Sequence, residues 1–255
     1  MAHGVWLAVA PITMSLCRFA LLFTAALAIA VRPASAQVIV TLQNATAGFS
    51  QGGFPVSQMI DGDTTGGGWA HDGAHFDDAA VYETATDLNL PTLTFTMTMV
   101  FGNHQIGRFR ISTTTDDRST FADGLQNGGD LTANWTVLAL TNLVSSGGAT
   151  LTLLSDGSVL ASGPFPNTDV YTFSATTSNP AITGFRLEVL TDPSLPLNGP
   201  GAPTLNGNFV LTEFSITAIP EPATDALFAA GLVGFGVVAL RRRCALTRPA
   251  ARRGR

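Results

Sequence analysis

From Thr92 to Met99 the chain alternates without a break, Thr-Leu-Thr-Phe-Thr-Met-Thr-Met. A repeat of two places Leu93, Phe95, Met97 and Met99 on one face and the threonines on the other, the pattern of a strand with one face on a core and one in water. Residues 106–115 repeat it, with Gly107, Phe109 and Ile111 inward and Arg108 and Arg110 outward. Further strands are expected at 79–83, 135–140, 150–154, 169–175, 183–190 and 208–218, where β-branched and aromatic residues gather. Glycine- and asparagine-rich turns separate them, among them Asn127-Gly128-Gly129-Asp130, Ser145-Ser146-Gly147-Gly148, Asp156-Gly157-Ser158 and Asn206-Gly207-Asn208. No stretch of this region has helical period. Many short strands broken by such turns specify an all-β protein, an antiparallel β-sandwich or jelly roll. Two segments, 48–79 and 192–208, read as long surface loops.

The two ends of the chain follow other rules. Arg18, the apolar run Phe19 to Val31, Pro33 and the small-residue exit Ala34-Ser35-Ala36 make residues 1–36 a secretory signal, cleaved before Gln37. The stretch before Arg18 is long for such a signal, which makes Met14 an alternative start. A lipoprotein reading of Cys17 fails because Met14-Ser15-Leu16 lacks a small residue before the cysteine. At the other end, Pro220-Glu221-Pro222 precedes an apolar run at 226–240, closed by Arg241-Arg242-Arg243 and followed by a basic tail at 245–255. Fifteen residues of helix rise about 22 Å, short of a hydrocarbon core of about 30 Å, but flanking arginines and bilayer thinning can make up the difference. The arginines should stay cytoplasmic and the middle of the chain outside. A plain single-span anchor is one reading. The order of the three parts, over residues 219–244, also resembles the PEP-CTERM sorting signal. That resemblance implies processing near Pro220-Glu221-Pro222 by an exosortase-type membrane protease-transpeptidase. The protein would then pass from the inner membrane to the cell surface or extracellular matrix.

Residues 37–219 hold four cationic side chains, Arg108, Arg110, Arg118 and Arg186, against sixteen Asp and Glu, and the chain has no lysine. A surface that tracks phosphates is excluded, so nucleic acid is not a partner. Extracellular solubility and a hard cation suit this balance better. Cys17 and Cys244 both lie outside 37–219, which removes disulfides, thiolate metal sites and a cysteine nucleophile from the domain. No nucleophile elbow, zinc-protease helix or phosphate-binding glycine loop is present. Asp116-Asp117 could supply a glycosidase carboxylate, but an adjacent pair without a second partner reads first as a turn.

Ala47-Gly48-Phe49-Ser50-Gln51, Met59-Ile60-Asp61-Gly62-Asp63 and Gly68-Trp69-Ala70 open a second likeness. Ala80-Val81-Tyr82-Glu83, His104 to Ser112 and Asn208 to Phe214 continue it in order. Together they resemble a discoidin-type, galactose-binding-like domain over most of 40–217. The resemblance implies a jelly roll that binds a glycan, a lipid or a protein, or only supports a neighbour.

Asp61 and Asp63 on one glycine-permitted turn are hard oxygen donors of the kind calcium prefers. The resemblance adds Glu213 on the last strand, giving Asp61, Asp63 and Glu213 as expected ligands of a structural Ca2+. The alternative is an ordinary Asp-Gly turn. Trp69 and Trp135 fit core packing better than sugar stacking. Phe54, His71 and Phe76 are the candidate ligand rim. The cluster His71, Asp72, His75, Asp77 and Asp78 reads as a solvated loop, because Gly73 argues against the helix that would align the two histidines for zinc. The expected function is therefore non-enzymatic: an exported binding module contacting a surface polysaccharide. A matrix component without a small ligand, or a polysaccharide hydrolase, are the alternatives.

Overall fold

A computed structural model describes residues 37–71, 76–202 and 206–219. The signal residues Ala34 and Ala36, the motif residues Pro220, Glu221, Pro222, Arg241, Arg242 and Arg243, and the expected span at 226–240 lie outside the described residues. Among the described residues no helix is long and apolar enough to cross a membrane.

Among the described residues there are sixteen strands, twelve of them in two principal antiparallel sheets. The first runs β1 (Val38–Ile39), β16 (Glu213–Ile219), β5 (Thr92–Met99), β12 (Asp169–Thr176) and β9 (Leu140–Ser145). The second runs β10 (Thr150–Leu153), β11 (Val159–Ser162), β7 (Arg108–Thr114), β13 (Ile182–Val189), β4 (Asp78–Leu88) and β2 (Leu42–Ala47), with β8 (Thr136–Val137) beside β7. Two short ladders complete it, β3 (Trp69–His71) with β15 (Phe209–Leu211) and β6 (Gln105–Ile106) with β14 (Gly201–Ala202). From β4 onward the chain keeps changing sheet, so nearly every ladder joins distant segments. This is the antiparallel β-sandwich jelly roll that the alternation called for.

The period-two face of β5 is the centre of the core. Leu93, Phe95, Met97 and Met99 are fully buried, and the intervening threonines are half-buried on the other side. The register sets Phe95 between Phe173 of β12 and Ile216 of β16. Phe95 stacks on Phe173 at 5.3 Å and meets Phe185 of the opposite sheet edge-on at 5.9 Å. Burying each such ring contributes about 1.5–3 kcal/mol, so this inter-sheet stack is a main source of stability.

The second sheet carries a smaller apolar layer on its outer face. Residues 115–135 fold back over it and bury Phe121 and Ala122 against Val81, with Leu131, Ala133 and Trp135 around them. Gly184 permits this, since a Cβ there would come within 2.5 Å of the Phe121 ring. Arg186 lies over Trp135 at 5.4 Å, which makes Trp135 a half-buried packing residue. The four arginines are all paired: Arg108 with Asp156 and Asp192, Arg110 with Glu188, Arg118 with Asp87, and Arg186 with Glu188.

Strand prediction differs from the structure in several places: β1, β2, β3 and β14 were not expected, and three further differences stand out. The expected strand at 135–140 is two pieces, β8 and the start of β9, which runs on to Ser145. β11 went unexpected, because Val159-Leu160-Ala161-Ser162 neither alternates nor carries aromatics. The last expected strand breaks at Thr212, where β15 leaves its partner β3 and β16 joins β5.

Candidate functional site

The ladder registers give the sandwich two unlike ends. At one end stand Met99, Asp169, Glu213, Asp78 and Val189, and the described parts of the long segments 48–77 and 190–212 lie there. At the other stand Thr92, Ile219, Leu88 and Ile182, joined by the shorter connections 89–91 and 177–181.

The long loop is held from within. A 3₁₀ turn, Val56–Ile60, buries Val56 and Met59, and the Tyr82 hydroxyl meets Met59 Sδ at 2.8 Å. Gly68, at φ +121°, brings the chain so close to Leu211 that a Cβ would lie 2.3 Å from its carbonyl oxygen. Trp69 follows, fully buried, with Nε1 donating to the Phe49 carbonyl at 2.8 Å and its ring edge-on to Phe209. Trp69 is a core residue.

His71 departs from expectation. It lies on β3 opposite Phe209, fully buried among Phe49, Phe76 and Phe209, with Nε2 3.9 Å from Asp78. It is therefore neither solvated nor a ligand rim. Its polar sequence neighbours suggested a loop, but pairing with a segment some 140 residues away put it in a strand. Asp78 beside it accepts from the Phe49 and Ala79 amides, and burial lifts its carboxyl to about 6. Phe76, by contrast, is 46% exposed.

The three expected metal ligands share one neighbourhood. Gly62, at φ +84°, donates its amide to Glu213 Oε2 at 3.2 Å. Asp61 Oδ1 accepts from the Asp63 amide, and Asp63 Oδ1 from the amide and hydroxyl of Thr65, which hold the exposed Asp63 carboxyl low. Glu213 is buried at the start of β16, and its carboxyl is lifted to about 7 by desolvation. The Gly62 amide opposes that lift, and the negative charges of Asp61 and Asp63 add to it. Oxygen donors of this kind fit a hard cation. Among the described residues, though, no three acidic or histidine side chains close around a point as a cage does.

A second group at this end joins Phe54, expected at the ligand rim, to residues that sequence reasoning missed. Phe54 and Phe101, both half-buried, meet edge-on at 5.5 Å. Phe101 opens the turn after β5, which carries exposed Asn103 at φ +63° and half-buried His104. His104 Nδ1 sits 2.7 Å from the Gly102 carbonyl, which can only accept, so Nδ1 is the donor in this contact. Exposed Asn167 lies against this turn, since a Cβ on Gly102 would come within 2.9 Å of its Oδ1. The signal was available: alternation stops at Val100 and the turn that follows still carries an aromatic.

Elsewhere, Asp116, Asp117, Thr120, Thr132, Ala133 and Asn134 line a cavity of about 500 Å³. Both carboxylates there are engaged locally. Asp116 accepts from the amide and side chain of Asn134, and Asp117 from the amide and hydroxyl of Ser119, which hold it low.

Residues 218–243 carry the PEP-CTERM protein-sorting motif. The motif covers the tail and leaves the β-domain unassigned, and no curated protein matches the chain. Among solved structures, the chain is similar to a family 32 carbohydrate-binding module from C. perfringens NanJ in complex with galactose. That likeness has 12% identity and a TM-score of 0.41, over 71% of this chain and 99% of that one. A second C. perfringens module of family 32, in complex with GlcNAc-α-1,4-galactose, has 12% identity and TM-score 0.41 over 74% and 99%. Reduced XRCC1 bound to the DNA polymerase β catalytic domain has 10% and 0.40 over 72% and 100%. Likeness at this level assigns no ligand and no residue role to this chain.

Proposed function

We propose that this protein is an exported, surface-sorted module that contacts a glycan through the long-loop end of its sandwich. The observation that carries the reading is the aromatic pair Phe54–Phe101 set beside Asn103, His104 and Asn167. Apolar ring surface for sugar C–H faces and nearby donors and acceptors for hydroxyls are what a shallow carbohydrate site requires. In this reading the sorting motif is processed by an exosortase-type membrane enzyme, and the domain ends at the cell surface or in its polysaccharide matrix. A calcium ion held by Asp61, Asp63 and Glu213 would tie the long loop to the last strand, a structural role. The hydrolase alternative is poorly supported, because Asp117 is held low and both carboxylates at the Asp116 cavity already accept local hydrogen bonds.

A glycan array probed with tail-processed protein tests the reading. Retention should fall about tenfold or more in Phe54→Ala and in Phe101→Ala, a loss of about 1.4 kcal/mol or more, with unchanged melting. Equal retention by wild type and a Phe54→Ala/Phe101→Ala double variant removes this surface as the site. Retention of no glycan by the folded protein favours a matrix component without a small ligand.

A further inference from the structure

The sorting motif begins at residue 218, and β16 does not end until Ile219. Its first two residues are therefore part of the sheet. Ala218 is fully buried and pairs with Leu93 of β5 on one side and Val38 of β1 on the other, and Ile219 pairs with Thr92. No spacer separates the last ladder pair from Pro220. An enzyme that takes its substrate as an extended strand needs main-chain groups on both sides of the bond it attacks. Those of Ala218 and Ile219 are already committed to the ladder.

The outer neighbour is slight. β1 has two residues, with Val38 46% and Ile39 75% exposed, continued by one bond from the Val40 amide to the Ile216 carbonyl at 2.9 Å. A terminal strand so short, with so little burial, opens at low cost compared with the core. We propose that β1 and the end of β16 form a clasp over the sorting motif, and that tail processing proceeds only when this clasp frays. This rests on the sorting reading of the tail. The folded domain thus sets the processing rate and presents the motif to a membrane enzyme at the end remote from Phe54 and Phe101.

The bond from Val40 to Ile216 marks that pair as hydrogen-bonded, so Ile39 and Thr217 form the neighbouring closely spaced pair. A disulfide fits there. The test follows tail loss by pulse-chase in cells for the full chain carrying Cys244→Ser, with and without Ile39→Cys/Thr217→Cys, and for a form with six Gly/Ser residues inserted between Ile219 and Pro220. The clamped form should lose its tail at least tenfold more slowly and recover with reductant. The insertion should process several-fold faster than wild type and become insensitive to the clamp. An unchanged half-life with the disulfide confirmed by mass overturns the clasp and leaves the sorting reading intact. A tail retained in every form, wild type included, overturns the sorting reading itself and the clasp with it.

Discussion

Two carboxylates flank the end of β5, Asp169 beside Met99 and Glu213 beside Thr98, and their surroundings differ sharply. Asp169 accepts from the Ser145 and Ser146 hydroxyls and from the Gly147 and Val170 amides at 2.6–3.1 Å. Glu213 accepts one amide at 3.2 Å and faces Asp61 and Asp63, which share its charge. A buried carboxylate surrounded by donors is a fastening that holds the β9–β10 turn. One set among like charges is the arrangement a cation would complete. Burial alone separates the two poorly, since both are largely out of water. What separates them is the supply of donors.

The largest expected effect is on the Asp169 side. Asp169→Ala would remove the acceptor of the Ser145 hydroxyl and the Gly147 amide, while the Val170 amide keeps Ser146 Oγ, and should cost about 3 kcal/mol, or about 10 °C in Tm by calorimetry. A loss below about 1 kcal/mol would mean the turn repairs itself with water and the contrast is weaker than drawn. Next comes calcium. Free ion a hundredfold above Kd should stabilise by about 2.7 kcal/mol relative to chelator. That gain should vanish in Asp61→Ala and Glu213→Gln but survive in Asp116→Ala, with magnesium a poor substitute. Superimposable melts after confirmed metal removal would leave Asp61-Gly62-Asp63 as a plain turn.

The smallest effect is the pH slope in chelator. The folded protein holds the Glu213 proton up to about 7, above the ordinary 4.5, and the Asp78 proton up to about 6, above the ordinary 3.8. Between the ordinary and raised values the folded state binds more protons than the unfolded one. The contribution of these two groups should therefore be greatest below about pH 4 and decline as pH rises toward 7, whereas the lowered carboxyls of Asp63, Asp117, Asp156 and Asp192 lose theirs as pH falls below about 4. Glu213→Gln should remove the upper part of the decline, between about 5 and 7, and leave the Asp78 part. A flat Tm from pH 5 to 8 in wild type would show that water reaches Glu213 freely.

Local pattern made β5, β7 and the buried Trp69 legible, because alternation and a large apolar ring state their own burial. It also drew attention to Asp61-Gly62-Asp63, whose turn chemistry is local. His71 was not legible in this way, since its burial depends on Phe209, Phe49 and Phe76 arriving from other parts of the chain. Phe101 and His104 were obscured differently. They sit in a turn whose neighbours Phe54 and Asn167 come from two other loops, and no one-dimensional window contains all four. Glu213 came to attention through resemblance, and its physical distinction lies in the negative charge around it, which only the fold assembles.

β16 runs from the long-loop end to the opposite end, where the chain leaves the domain. A tether attached beyond Ile219, with the long-loop end held fast, would pull along the axis of a strand paired along its length by β5 and near its end by β1. Tension in that direction loads many ladder bonds together in shear, instead of peeling them one after another. A clasp that thermal motion opens a residue at a time would then resist drag, so the same strand could yield to an enzyme and hold against flow.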